Sequence, residues 1–191
     1  MPILRPHLGV VEGCLHSAWK DWEATREFHT TNGHPISPSA RARIIYDLVC
    51  HHARRAFMDV PGVRVGSDRG FLTIIFGSEL VLRFKKLKPN LEWSGIPTRQ
   101  QQLFESQEEI PGLPSRATFL VAGYVLDATG TQVVRLVISC RDETRLLWSH
   151  ELEPPLGTVS SRIYSMPSPT HAPAPQQLRS KIRKEDSKEA D

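Results

Sequence analysis

Cysteine is scarce in this chain and badly placed for pairing. Cys14, Cys50 and Cys140 are odd in number and far apart, and no C-x-x-C joins any two of them. That excludes a disulfide framework and a zinc knuckle, and it makes a reducing, cytoplasmic setting the expectation. Long apolar runs are missing as well. Segments such as FLTIIF at 71–76 fall far short of the roughly 20 residues that a membrane helix requires. The N-terminal MPILRPHLGVVEG places a proline, a histidine and a glutamate where a signal peptide needs an unbroken apolar core, so no leader and no membrane are expected. There is no G-x-S-x-G, H-E-x-x-H or G-x-x-x-x-G-K motif. The sequence therefore nominates no catalytic residue, no metal ligand and no cofactor.

What is present is an ordinary soluble composition with an uneven charge layout. The 191 residues carry a formal net charge of +3, and a chain of this size can bury a sizeable core without staples. Residues 37–99 hold eleven Lys/Arg against five Asp/Glu, whereas residues 100–153 hold four against eight. Such a dipolar layout can orient a protein on a partner, although ordinary surface variation produces the same pattern.

Hydrophobic periodicity divides the chain. Residues 10–29 repeat at helical spacing, with Val11, Leu15, Ala18, Trp19 and Trp22 on one stripe. Residues 30–36 (TTNGHPI) are turn-formers. Ser37 or Ser39 beside Pro38 then starts a second helix running to about Phe57. Its inner stripe is expected to be Ile44, Ile45, Leu48, Val49, His52, Ala53 and Ala56, with Arg41, Arg43, His51, Arg54 and Arg55 largely outside.

After Pro61-Gly62 the period becomes that of strands: VRV, FLTIIF and ELVLRFKKL, the last two joined by a Gly77-Ser78 hairpin signal. Thr98 with Gln101 three residues later reads as a capping box for a short helix through about Glu108. Three further strands follow, ATFLVAGYVLD, QVVRLVIS and RLLWSHEL, connected by DATGT and RDET as an antiparallel meander. The first is apolar on both faces and expected to be central. The third places Leu146, Trp148 and Leu152 on one side.

The expected architecture is thus α+β, two N-terminal helices packed on a mostly antiparallel sheet of about five strands with an inserted short helix. It divides into an N-terminal helical extension (1–36), a core domain (37–153) and a tail (154–191). The tail holds prolines at 154, 155, 167, 169, 173 and 175 and ends in a mixed-charge run without aromatics, so it reads as disordered.

Two constellations fail on geometry. In Cys50-His51-His52 successive helical residues point about 100° apart and cannot converge on one ion; His29 and His34 flank a glycine turn but lack nominated partners. Asp68, Glu79 and Lys85 invite comparison with metal-dependent nucleases of the restriction-enzyme type, but Glu79 and Lys85 stand about 20 Å apart along a strand.

A basic face is better supported. Arg83 and Lys85 alternate on the polar side of their strand, Lys86 and Lys88 follow, and Thr98 and Arg99 open a helix whose free amides favour negative charge. These six residues form the candidate anion- or partner-binding surface; a solvated edge strand guarded by lysines is the plain alternative. The strings RFKKL (83–87), PTRQQ (97–101), PGLP (111–114) and AGYVLD (122–127), with Trp148, resemble an uncharacterised family of small bacterial and phage-associated proteins over residues 40–153. That resemblance implies a component of a bacterial mobile-element or stress module. It further implies a helix-turn-helix regulator or a metallopeptidase-like protein as partner, and it carries no established activity. The functional expectation is an interaction or regulatory protein that binds an acidic partner through the basic face. The alternative is a nucleic-acid-binding protein using the same hairpin and helix start, which counterion release would mark by a steep salt response.

Overall fold

A computed structural model of the chain describes residues 2–68, 70–95, 98–143 and 145–153; the expected tail lies outside them. A short 3₁₀ turn, Arg5–His7, leads into α1 (Leu8–Thr31). The anticipated stripe of α1 is buried, and Cys14 joins it. The helix ends at a glycine in the left-handed region, Gly33, with φ 69°. Its amide bonds the Thr30 carbonyl, and the His34 amide bonds that of His29 at 2.9 Å. This pairing of 6→1 and 5→2 bonds is the Schellman termination, which glycine permits at low strain.

Helix α2 (Pro38–Phe57) begins where Ser37 Oγ accepts the Ala40 amide, with proline in the first turn. Its buried stripe is Ile45, Val49, Cys50, Ala53 and Phe57. The expected stripe is therefore rotated: Ile44, Leu48 and His52 are half-buried and Ala56 is exposed. Cys50 and Phe57 take the inner positions because α1 packs beside α2 as well as the sheet beneath it. Arg41, expected outside, is half-buried.

The sheet has six strands in sequence order: β1 (Val63–Asp68), β2 (Phe71–Phe76), β3 (Leu80–Leu87), β4 (Thr118–Leu126), β5 (Val133–Asp142) and β6 (Arg145–Leu152). All neighbours are antiparallel except β3 and β4, which run parallel with Leu80 opposite Thr118 and Leu87 opposite Val125. A parallel pair needs a crossover, and residues 88–117 supply it, including α3 (Arg99–Glu105). The class is α+β, as expected. The crossover makes the sheet a middle layer: α1 and α2 cover Leu72, Ile74, Leu82, Phe84, Leu120, Tyr124 and Ile138 on one face, and the crossover covers Ile75, Val81, Phe119, Val121 and Val137 on the other.

Strand β4 is central and buried at every position except Thr118. Gly123 has no room for a side chain, since a Cβ there would stand 2.4 Å from the Lys85 carbonyl and 2.7 Å from Leu87 Cγ. Helix α3 stops at Glu105, three residues short of expectation. Gln107 adopts φ 57°, and the Glu108 amide returns to the Leu103 carbonyl at 3.0 Å. The Gln107 side chain explains the early stop. Its Nε2 donates to the Phe119 (3.0 Å) and Arg141 (2.7 Å) carbonyls, and its Oε1 accepts the Phe119 amide (2.8 Å). At the far edge β6 departs from simple alternation. Trp148 opposes Cys140 while Leu146 opposes Arg141, with an irregularity between them at Leu147. A bulge of this kind moves Leu146 to the crossover face, whereas Trp148 and Leu152 join the helix-face core.

Candidate functional site

The six residues expected to form one basic surface are dispersed by the fold. Arg83 is 1% exposed and belongs to the interior of the crossover face. Its guanidinium lies 4.4 Å from the centroid of Phe104 and 5.3 Å from that of Phe71. Lys85, two residues on, is half-buried over Phe71 (4.0 Å) and Trp93 (5.1 Å). Burial first, and then the charge of Arg83, pulls its ammonium down to about 8. Lys86 alternates to the helix face and is half-buried there. Lys88 is exposed and paired with Glu92 at 3.0 Å. Thr98 Oγ1 accepts the Gln101 amide at 3.3 Å and so caps α3, and Arg99 is exposed.

The expectation of a solvent-facing Arg83 and Lys85 is thus corrected. Period-2 alternation assigned them to the polar side of β3, but residues 88–117 cover that side with aromatic rings. A guanidinium is flat and weakly hydrated, so it stacks on aromatic faces where an ammonium would be costlier to bury.

A different basic site forms where the end of α1, the start of α2 and the β4–β5 turn meet. A cleft of about 390 Å³ is lined by Trp22, Arg26, His29, Thr30, Gly33, His34, Pro35, Ile36 and Arg41. None of these residues is acidic. Its floor is apolar, with Trp22 2% exposed, and its rim carries two guanidinium groups and two imidazoles. His29 Nδ1 is buried there without a hydrogen-bond partner among the described residues.

Both arginines are held by the same turn. Arg26 Nη1 donates to the Thr131 carbonyl at 3.3 Å, and Arg41 Nη1 donates to that of Gly130. The turn is itself fixed by Asp127. The carboxylate accepts the Thr131 and Gln132 amides at 2.7 and 2.9 Å and the Thr129 hydroxyl, which together hold it at about 2, the Thr129 bond contributing most. Gly130, at φ 70°, leaves space that a Cβ would occupy 2.8 Å from Arg41 Nη2.

Three of the last carbonyls of α1, those of Phe28, His29 and Thr30, are engaged by hydrogen bonds. Asn32 Nδ2 donates to the Phe28 carbonyl at 2.7 Å and Thr30 Oγ1 to that of Arg26 at 2.9 Å, beside the two Schellman bonds. Lys86 interacts electrostatically with Arg41 of the cleft. Burial, and then repulsion from Arg41, lowers its pKa. Arg26 and Arg41 were not nominated by the sequence, and His29 was considered only as a metal ligand. They stand on two helices, and the signal that located the turn between them, TTNGH, carried no charge information.

The remaining constellations resolve structurally. Cys50 is buried, His51 and His52 meet edge to face at 5.4 Å, and His52 Nε2 bonds Asp21 at 2.7 Å. All three cysteines are buried and unpaired. Among the described residues no group of three or more His, Cys, Asp or Glu is arranged to hold a metal ion, and no helix is long and apolar enough to cross a membrane. No protein-family model, no curated protein and no solved structure matches this chain.

Proposed function

We propose that the protein is a cytoplasmic binding module which recognises an acidic group of a partner protein in the cleft between α1 and α2. The observation that carries this reading is the lining: Arg26, His29, His34 and Arg41 surround about 390 Å³ with no carboxylate among them. The two guanidinium groups, facing a cavity whose lining holds no counter-charge, repel one another, and an anionic ligand relieves that repulsion. Phe28, 64% exposed on the last turn of α1, stands next to the cleft residue His29 and offers an aromatic anchor of the kind that protein interfaces use. The buried, unpaired cysteines fit a reducing compartment. The resemblance to small bacterial and phage-associated proteins makes a helix-turn-helix regulator or a metallopeptidase-like protein the first partner to test.

The experiment is affinity capture from source cells, with and without nuclease, comparing the native chain with R26E/R41E. Under this reading the native chain retains one protein after nuclease treatment, and the double variant, still folded by circular dichroism, loses it. Retention by the double variant would overturn the site. Loss of capture after nuclease treatment alone would point instead to nucleic acid.

A further inference from the structure

We infer that the acidic group taken by the α1–α2 cleft is a phosphate monoester carried on a side chain of the partner protein. The inference rests on the reading above and sharpens it by charge and geometry. Arg26 and Arg41 are permanently charged and give the lining a fixed charge of two positive units. A carboxylate or a phosphodiester carries one negative charge and would leave one guanidinium uncompensated, whereas a monoester carries close to two at neutral pH. Donor supply agrees. Each arginine spends one N–H on a turn carbonyl and keeps the rest of its five-donor fork, more than the two oxygens of a carboxylate can use and well suited to three phosphate oxygens.

A nucleic-acid strand fits less well. The α1 surface beside the cleft carries Glu23 and Glu27 along with Lys20 and Arg26, so a continuous polyanion leaving the site would meet carboxylates. An isolated dianion avoids them. The apolar floor of Trp22, Pro35 and Ile36 and the exposed Phe28 suit the peptide that bears the phosphate.

The test titrates the full chain at pH 7.5 and constant ionic strength with methyl phosphate, dimethyl phosphate and acetate, following arginine side-chain N–H signals by NMR. Methyl phosphate should shift the Arg26 and Arg41 signals and bind at least about tenfold more tightly than either monoanion, a factor typical of one additional charge-assisted pair. R26Q and R41Q should each remove most of that preference. Equal binding of all three probes would overturn the monoester and leave the acidic-group reading standing; no shift with any of them would overturn both. A second arm tests the source of the phosphate. A degenerate phosphoserine-centred peptide pool should bind more tightly than methyl phosphate and be weakened by F28A, which should leave methyl phosphate binding unchanged. If the pool binds no better than methyl phosphate, the ligand is not a phosphorylated protein side chain.

Discussion

The two faces of the sheet treat positive charge in opposite ways. On the crossover face Arg83 and Lys85 are roofed by Phe71, Trp93 and Phe104, and their charges become part of the packing. On the helix side Arg26 and Arg41 are tethered through one N–H each to the β4–β5 turn, with an open cleft in front of them. An arginine stacked between rings is a structural element, because its remaining interactions face the interior. One fastened at a single donor beside a cavity is pre-organised for something else. Burial separates the two roles where charge alone does not.

The comparison breaks most visibly at Arg83. R83E places a carboxylate against the faces of two aromatic rings in the interior, and we expect a loss of about 3–5 kcal/mol, the range for an uncompensated buried charge. R26E, on an exposed side chain, should change stability by under about 1 kcal/mol. Urea unfolding midpoints of the two variants decide the matter. Similar midpoints would mean that Arg83 is solvated. Next in size is Gly123, which faces Lys85 across the parallel pair and has no room for a Cβ. G123A forces a methyl against the Lys85 carbonyl and Leu87, an overpacking worth about 1–3 kcal/mol. An unchanged thermal midpoint would show that β3 and β4 can separate without penalty.

What could be read in advance follows the range of the interactions concerned. The starts of α2 and α3 were visible because Ser37-Pro38 and Thr98-x-x-Gln101 are local signals, and the structure shows both caps. The Gly77 turn was visible for the same reason, with φ 59° and the Glu79 amide on the Phe76 carbonyl, although Phe76 pairs with Leu80 and the loop is the three residues 77–79 rather than the two of Gly77-Ser78. The parallel step from β3 to β4 was not. Whether β3 pairs with β2 alone or also with β4 is decided by a crossover whose anchors, Leu91, Trp93, Phe104 and Ile110, are single apolar residues without a period. That omission also misplaced the basic face. Arg83 alternates like a surface residue, and the rings packed on it, Phe71 and Phe104, the latter 21 positions away, make it an interior one. Arg26 and Arg41 lie on different helices and meet only through Gly130 and Thr131, so no spacing rule connects them.

A milder change tests the caps. T98A removes the acceptor of the Gln101 amide and should cost about 1 kcal/mol, loosening the lid over Arg83 while leaving the cleft untouched. Hydrogen exchange should accelerate at Gln101 and Gln102 and stay constant at Ala40. Acceleration at both would mean that the two faces are coupled, which would weaken the division drawn above.

A final test sharpens the comparison through pH. Lys85 is held at about 8, mainly by burial, against an ordinary 10.5. Between those values the unfolded chain binds a proton that the folded chain has released. Unfolding free energy therefore rises with pH across this window, the sign that linkage assigns when the unfolded state binds more protons. Below about 8 the ammonium stays charged in both states, and the folded protein bears the desolvation penalty, offset in part by the faces of Phe71 and Trp93. K85M removes the titrating group but keeps the stem that covers the rings. Its stability should be higher than that of the native chain near pH 7, and the gap should narrow towards pH 10. Chemical denaturation at pH 7, 8.5 and 10 checks this. Parallel curves for the two proteins would place Lys85 in water, and with it the edge of the buried face.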